Sequence, residues 1–300
     1  MTISFDCPGC GRICAFADQH AGRTARCTRC QQKFVIPAVD GGKAKKVKLS
    51  PDTVLPGFYR AALVRTWTSF FRRESITAVV FLTALVTFRF FLANFDLSAQ
   101  MPGFVLLAPI GWIAIILTWG CQIGYYMETI ANTLIDWDEY LIPEIGSGFE
   151  FLGGVIKSLY LFFAAFILME LPFLMLSNWM QKHQYGSPWI WHALTLGGLV
   201  LFPMALLILN GGPEIYSIFR PDYLLKPIFR APGAYAVVVG AFVLAGGVEL
   251  ASRQYSPVKD QPTSILLLHW AGNVLAAFLG LAAMRMIGLF GRHYRCNLPW

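Results

Sequence analysis

Two matched cysteine pairs open the chain, Cys7-x-x-Cys10 and Cys27-x-x-Cys30, with sixteen residues between Cys10 and Cys27. That spacing suits a four-cysteine zinc site. Each Cys-x-x-Cys turn brings two thiolates together from one tight loop, and zinc takes four of them tetrahedrally. Gly9 and Gly11 give the first turn freedom for unusual backbone angles and close N–H approach to sulfur. A redox dithiol or a disulfide is the competing chemistry, and two pairs at matched spacing favour the metal. Cys14 and His20 are donors by type, but both stand outside the paired pattern and read as a small core residue and a turn residue. The expected ligands are therefore Cys7, Cys10, Cys27 and Cys30, and the expected cofactor is one Zn2+.

A second group of chemistry-bearing residues is scattered through apolar stretches: Arg89, Glu170, His192, Glu249, His269 and Asn273. Ionisable groups are costly inside a bilayer, so each is a functional candidate by default. Two glutamates and two histidines could form an ion site or a pathway. The same residues could instead form a structural cluster, for example with Arg89 paired to Glu170. Gly272, Ala276 and Gly280 make a small-residue seam beside His269 and Asn273, and Ala245 and Gly246 share a face with Glu249, so Glu249 and His269 are expected to face each other across a helix pair. Lys157 and Arg285 lie near helix ends and are expected to snorkel to the headgroups. The chain carries no HExxH, P-loop, G-x-S-x-G or dinucleotide fingerprint, so no catalytic residue is assigned and an enzyme is not indicated.

The elements that hold these groups follow from composition. Of the 300 residues 56% are hydrophobic and 14% are charged, where soluble domains carry about 25% charged residues. Six spans are expected, at approximately 76–96, 103–127, 153–177, 188–210, 233–252 and 263–290. Residues 1–50 lack the short apolar core of a cleavable signal. Basic residues gather before the first span, between the fourth and fifth (Arg220, Lys226, Arg230) and after the sixth (Arg292, Arg295). The positive-inside bias then puts both termini in the cytoplasm, where thiols stay reduced and available to metal. In that topology Arg89, Glu170, His192, Glu249 and His269 all fall about 5–12 Å below the outer surface.

Four regions result: a zinc ribbon over 1–38, a basic flexible linker over 39–53, an interfacial amphipathic helix over 54–75, and a six-helix transmembrane domain over 76–300. In the ribbon, "RICAFA" and "KFVIP" read as strands and "DQHAG" as a turn. Fewer than about 40 residues cannot build a sufficient core, so the metal would supply the folding energy. Lys43, Lys45, Lys46 and Lys48 in the linker suit anionic headgroups or a solvated tether. The segment 128–150 is acidic, a negative patch for the basic ribbon to dock on or a solvated loop with Trp137, Tyr140 and Phe149 at the headgroups. The ribbon's own arginines do not make it a nucleic-acid reader, since no recognition helix accompanies them and Phe5, Phe16 and Phe34 are needed for its core.

The opening "CPGC…AGRTARCTRCQQKFVIP" resembles a zinc-ribbon family common at the N-termini of bacterial proteins; Cys7, Cys10, Gly22, Arg23, Cys27, Cys30 and Pro37 match its pattern, over about an eighth of the chain, and Cys14 lies outside it. The stretch around residues 201–244 resembles a multi-pass prokaryotic membrane family of unknown function, through Pro203, Ile228, Arg230, Pro232 and Tyr235. Together they imply an all-α membrane bundle of the bacterial inner membrane, N-in and C-in, carrying a small β zinc ribbon. The bilayer and a cytoplasmic protein bound through the ribbon are the expected partners. The expected role is interaction, regulation or scaffolding, and the alternative is a transporter of a small solute or ion through the outer-leaflet polar cluster.

Overall fold

The computed structural model describes residues 2–7, 13–17, 20–22, 24–26, 33–37, 45–46, 54–94, 99–101, 104–106, 110–135, 140, 148–211, 215–253 and 262–298. It divides into two compact units, Met1–Thr53 and Val54–Trp300.

The first unit is built from short antiparallel strands. β1 (Thr2–Asp6) pairs with β2 (Ile13–Ala17), and β3 (Thr24–Arg26) pairs with β4 (Lys33–Val35). The period of two along the first strand turns Ile3, Phe5 and Cys7 inward, and all three are buried with Phe34 and Ile36. The rings of Phe5, Phe16 and Phe34 meet at 5.1–6.1 Å. Gly22 has φ +74°, a conformation that L side chains rarely adopt, and its N–H bonds Ile36 O at 2.9 Å. The linker contributes a two-residue strand, β5 (Lys45–Lys46), against Phe34 and Val35. Two of its residues are therefore held by backbone pairing rather than forming part of a loose tether.

The second unit is helical. A short helix, α1 (Phe58–Arg60), passes through a π turn (Ala61–Arg65) into α2 (Thr66–Phe70). Then come α3 (Ile76–Asn94), α4 (Ile110–Leu134), and α5 (Gly148–Ala165), which continues through a second π turn (Phe166–Glu170) into α6 (Leu171–Lys182). The rest are α7 (Pro188–Gly211), α8 (Pro221–Arg230), α9 (Pro232–Arg253) and α10 (Thr263–His293). Among the described residues four helices are long and apolar enough to cross a membrane, Phe151–Lys182, Pro188–Gly211, Pro232–Ser252 and Thr263–His293, which marks a membrane protein. Ile76–Phe91 is apolar but shorter.

The second expected span starts later than its composition suggested. Residues 99–101 and 104–106 form a hairpin, β6 and β7, with Met101 opposite Phe104, and the helix begins only at Ile110. In the sequence Pro109 directly precedes Ile110, and a proline is tolerated at a helix start but not in its interior.

α10 is the hub. In its most apolar window 78% of residues are buried, against 17% in Phe151–Lys182. Its glycines let α4 approach. A Cβ at Gly280 would lie 2.6 Å from the Tyr126 hydroxyl oxygen, and one at Gly288 would lie 2.6 Å from Thr133 Cβ. α9 runs antiparallel to α10, with Tyr235 against Phe290 at one end and Ser252 against Gly272 at the other. The peripheral α5 and the π turn after it present Ile156, Tyr160, Phe163 and Ile167 outward, a face that would be a liability in water and matches lipid.

Candidate functional site

Each cysteine pair occupies the same place in its hairpin. The register sets Asp6 opposite Ile13 and Arg26 opposite Lys33, so both hairpins close over a six-residue loop, 7–12 and 27–32. Cysteines fill the first and fourth positions of each: Cys7 and Cys10, Cys27 and Cys30. Cys7 is buried in the ribbon core, 3% exposed. Cys10, Cys27 and Cys30 lie outside the described residues, and among the described residues no group of three or more His, Cys, Asp and Glu forms a metal site. Cys14 sits in β2 opposite Phe5 and packs against the core.

In the helical unit the buried polar groups form a chain across three helices. Arg89 Nη1 on α3 donates to Gln122 Oε1 on α4 at 2.6 Å, with the guanidinium 4.5 Å above the Trp119 ring. Gln122 Nε2 donates to the Tyr126 hydroxyl at 2.7 Å, which donates in turn to Ala277 O on α10 at 3.0 Å. Glu249 is close enough to act on Tyr126 electrostatically, as Arg89 does. One turn beyond Glu249, Ser252 O accepts Asn273 Nδ2 at 3.3 Å and lies 3.2 Å from His269 Nδ1. These contacts knit α3 to α4, α4 to α10, and α9 to α10.

Sequence reasoning had picked out Arg89, Glu249, His269 and Asn273 for this region but missed Gln122 and Tyr126, which are neutral. Their spacing of four places them on one helix face, the signal that could have found them. The structure does not bring the other two candidates in. His192 is exposed on α7. Glu170 is 5% exposed and packs against Gly198; its Oε2 meets no hydrogen-bond donor among the described residues, and Arg89 spends its Nη1 on Gln122 rather than on Glu170.

Two expectations at the other end change as well. Arg285 does not snorkel: it is 2% exposed, with its guanidinium 4.9 Å from the Tyr140 ring centroid. Tyr140 is not at the headgroups. It is 2% exposed and stacks on Phe70 at 4.4 Å, its N–H bonds Ser75 Oγ at 3.2 Å, and its hydroxyl donates to Thr66 O at 3.4 Å. Burial pushes its phenol well above the usual range, and the nearby Arg285 charge opposes that shift only in part. An aromatic ring over a guanidinium replaces some of the solvation the cation loses, which lets Arg285 stay inside.

A cavity of about 370 Å3 opens between α3, α4, α5 and α7, with Glu128, Lys157, Ser158 and Asn210 as polar lining. At the loop before α8, Arg220 forms an exposed bidentate pair with Asp222 at 2.8 and 3.2 Å, which holds the Asp222 carboxyl below its usual value. Trp179, His183 and Tyr185 cluster at the α6–α7 turn, where an aromatic belt would meet headgroups.

No family model matches the chain, and neither a curated protein nor a solved structure matches it.

Proposed function

We propose that the protein is a six-span inner-membrane protein, both termini cytoplasmic, whose zinc ribbon binds a cytoplasmic protein partner and whose helical unit anchors it. α3 and α4 supply the first and second spans in this reading. The Arg89–Gln122–Tyr126–Ala277 chain carries the anchoring part. These polar groups join helices, as a scaffold requires. The matched six-residue loops support the ribbon, since four thiolates at equivalent positions of two hairpins are the donor set of structural zinc.

A second reading, passage of a small polar solute, draws support from the cavity beside Glu128 and Lys157 rather than from the outer cluster. Photo-crosslinking residues placed at Arg12 and Arg29 in cells test the first reading. A discrete protein adduct that disappears in Cys27→Ser is the expected result. Absence of any adduct, together with solute flux through reconstituted vesicles, would replace the first reading with the second.

A further inference from the structure

Glu170 is buried, 5% exposed, and its Oε2 has no hydrogen-bond partner among the described residues. It ends the π turn Phe166–Glu170, in which the Leu171 N–H reaches back to Phe166 O. Pro172 follows and has no N–H, so it cannot supply the backbone donor that another residue there would give to a carbonyl of the preceding turn. π turns inside α-helices often mark functional positions. Across the seam, α7 offers Gly198. A Cβ there would lie 2.5 Å from Glu170 Oε2 and 3.0 Å from Cδ, so the carboxyl fills the space the glycine leaves.

Among the described residues no opposite charge pairs with this carboxyl. The one titratable side chain on α7 is His192, exposed and six residues before Gly198. On the α5–α6 helix the nearest titratable groups, Tyr160, Lys182 and Lys157, are ten, twelve and thirteen residues away. An unpaired carboxylate in a low-dielectric seam costs far more than the neutral acid, which buries one polar O–H and can give it to a carbonyl. The bound proton is thus what makes this position tenable.

We infer that Glu170 is a membrane-buried proton-binding site, a carboxyl that takes up and releases one proton in the seam between the π turn and Gly198. A proton fits where a metal ion would not, because the seam offers one carboxyl and no further oxygen side chain on the turn or at Gly198. The inference does not depend on the ribbon having a partner.

The test uses the full-length protein in phospholipid vesicles and dicyclohexylcarbodiimide, an apolar reagent selective for protonated carboxyls. The acid proton moves to a carbodiimide nitrogen, the carboxylate oxygen adds to the central carbon, and the acyl group then shifts to nitrogen as a stable N-acylurea; nothing leaves. Peptide mass spectrometry should find the adduct on Glu170. Its extent should fall about tenfold per pH unit above a midpoint lying between about pH 5 and pH 9. Sodium or lithium at fixed pH should not protect. Gly198→Ala, which crowds the carboxyl, should move the midpoint, and Glu170→Gln should remove the adduct. The decisive measurement is on the natural chain, so a variant that fails to fold does not blunt it. No adduct at any pH, an adduct constant across that range, or protection by sodium would each overturn the proposal.

Discussion

The Tyr235 hydroxyl stands in for a missing rung of α7. It accepts from Met204 N–H at 3.1 Å and donates to Val200 O at 2.6 Å, the two groups an unbroken helix would join directly. Pro203 is the cause, because its ring crowds the carbonyl four residues back and opens the helix there. A residue at the start of α9 thereby completes the backbone of α7.

Tyr235→Phe should cost about 1–3 kcal/mol, the penalty for stranding a buried N–H and carbonyl. Thermal unfolding in detergent reads the change. In a Pro203→Ala background the same substitution should cost less, since the straightened helix can close Met204 to Val200 directly. Equal costs in the two backgrounds would show that Tyr235 acts independently of the kink.

The ribbon is expected to hold one zinc per chain. Cys27→Ser should lose it, and a chelator should unfold the natural ribbon, because structural zinc supplies about 10–16 kcal/mol of folding free energy in peptides of this type. The helical unit should still insert and fold, since its helices satisfy their own backbone groups. Metal analysis of the purified protein, with limited proteolysis of residues 1–38, checks both halves of this expectation.

Breaking the Arg89–Gln122–Tyr126 chain at its middle should be worse than emptying it. Gln122→Ala leaves both neighbours short of a partner, whereas Arg89→Met with Gln122→Met replaces polar groups by packing. The two substitutions should couple by about 0.5–3 kcal/mol in a double-mutant cycle on melting of the protein in detergent. A coupling of zero would mean that the hydrogen bond contributes nothing to the bundle.

Topology can be read by labelling. A cysteine at exposed Ser187 should react with an impermeant thiol reagent in intact cells, and one at exposed Lys226 should not. The reverse pattern would place the ribbon outside the cytoplasm and remove the reducing compartment that the zinc reading relies on.

Much of this was legible from the residues. The cysteine spacing pointed to paired loops, and apolar length located the four helices long and apolar enough to cross a membrane. Pro203 and Tyr235 were singled out only as marks of a resemblance. That one repairs the other depends on a contact across 31 positions that no local pattern encodes. Tyr140 and Arg285 were misplaced for a related reason. Rules for headgroup anchoring assume that a helix-end residue faces lipid, and here α2 and α10 close over both. Glu170 was grouped with Arg89 by depth alone, and depth says nothing about which seam a side chain enters.

Where the chain enters the helical unit, Leu55 and His293 are clasped twice: Leu55 N–H to His293 O at 2.9 Å, and His293 Nδ1 to Leu55 O at 2.9 Å. His293 ends α10, the most enclosed helix of the bundle. Tension arriving along the tether therefore does not first peel away the short α1–α2 segment. It meets the double clasp, whose far side is the most enclosed helix of the bundle.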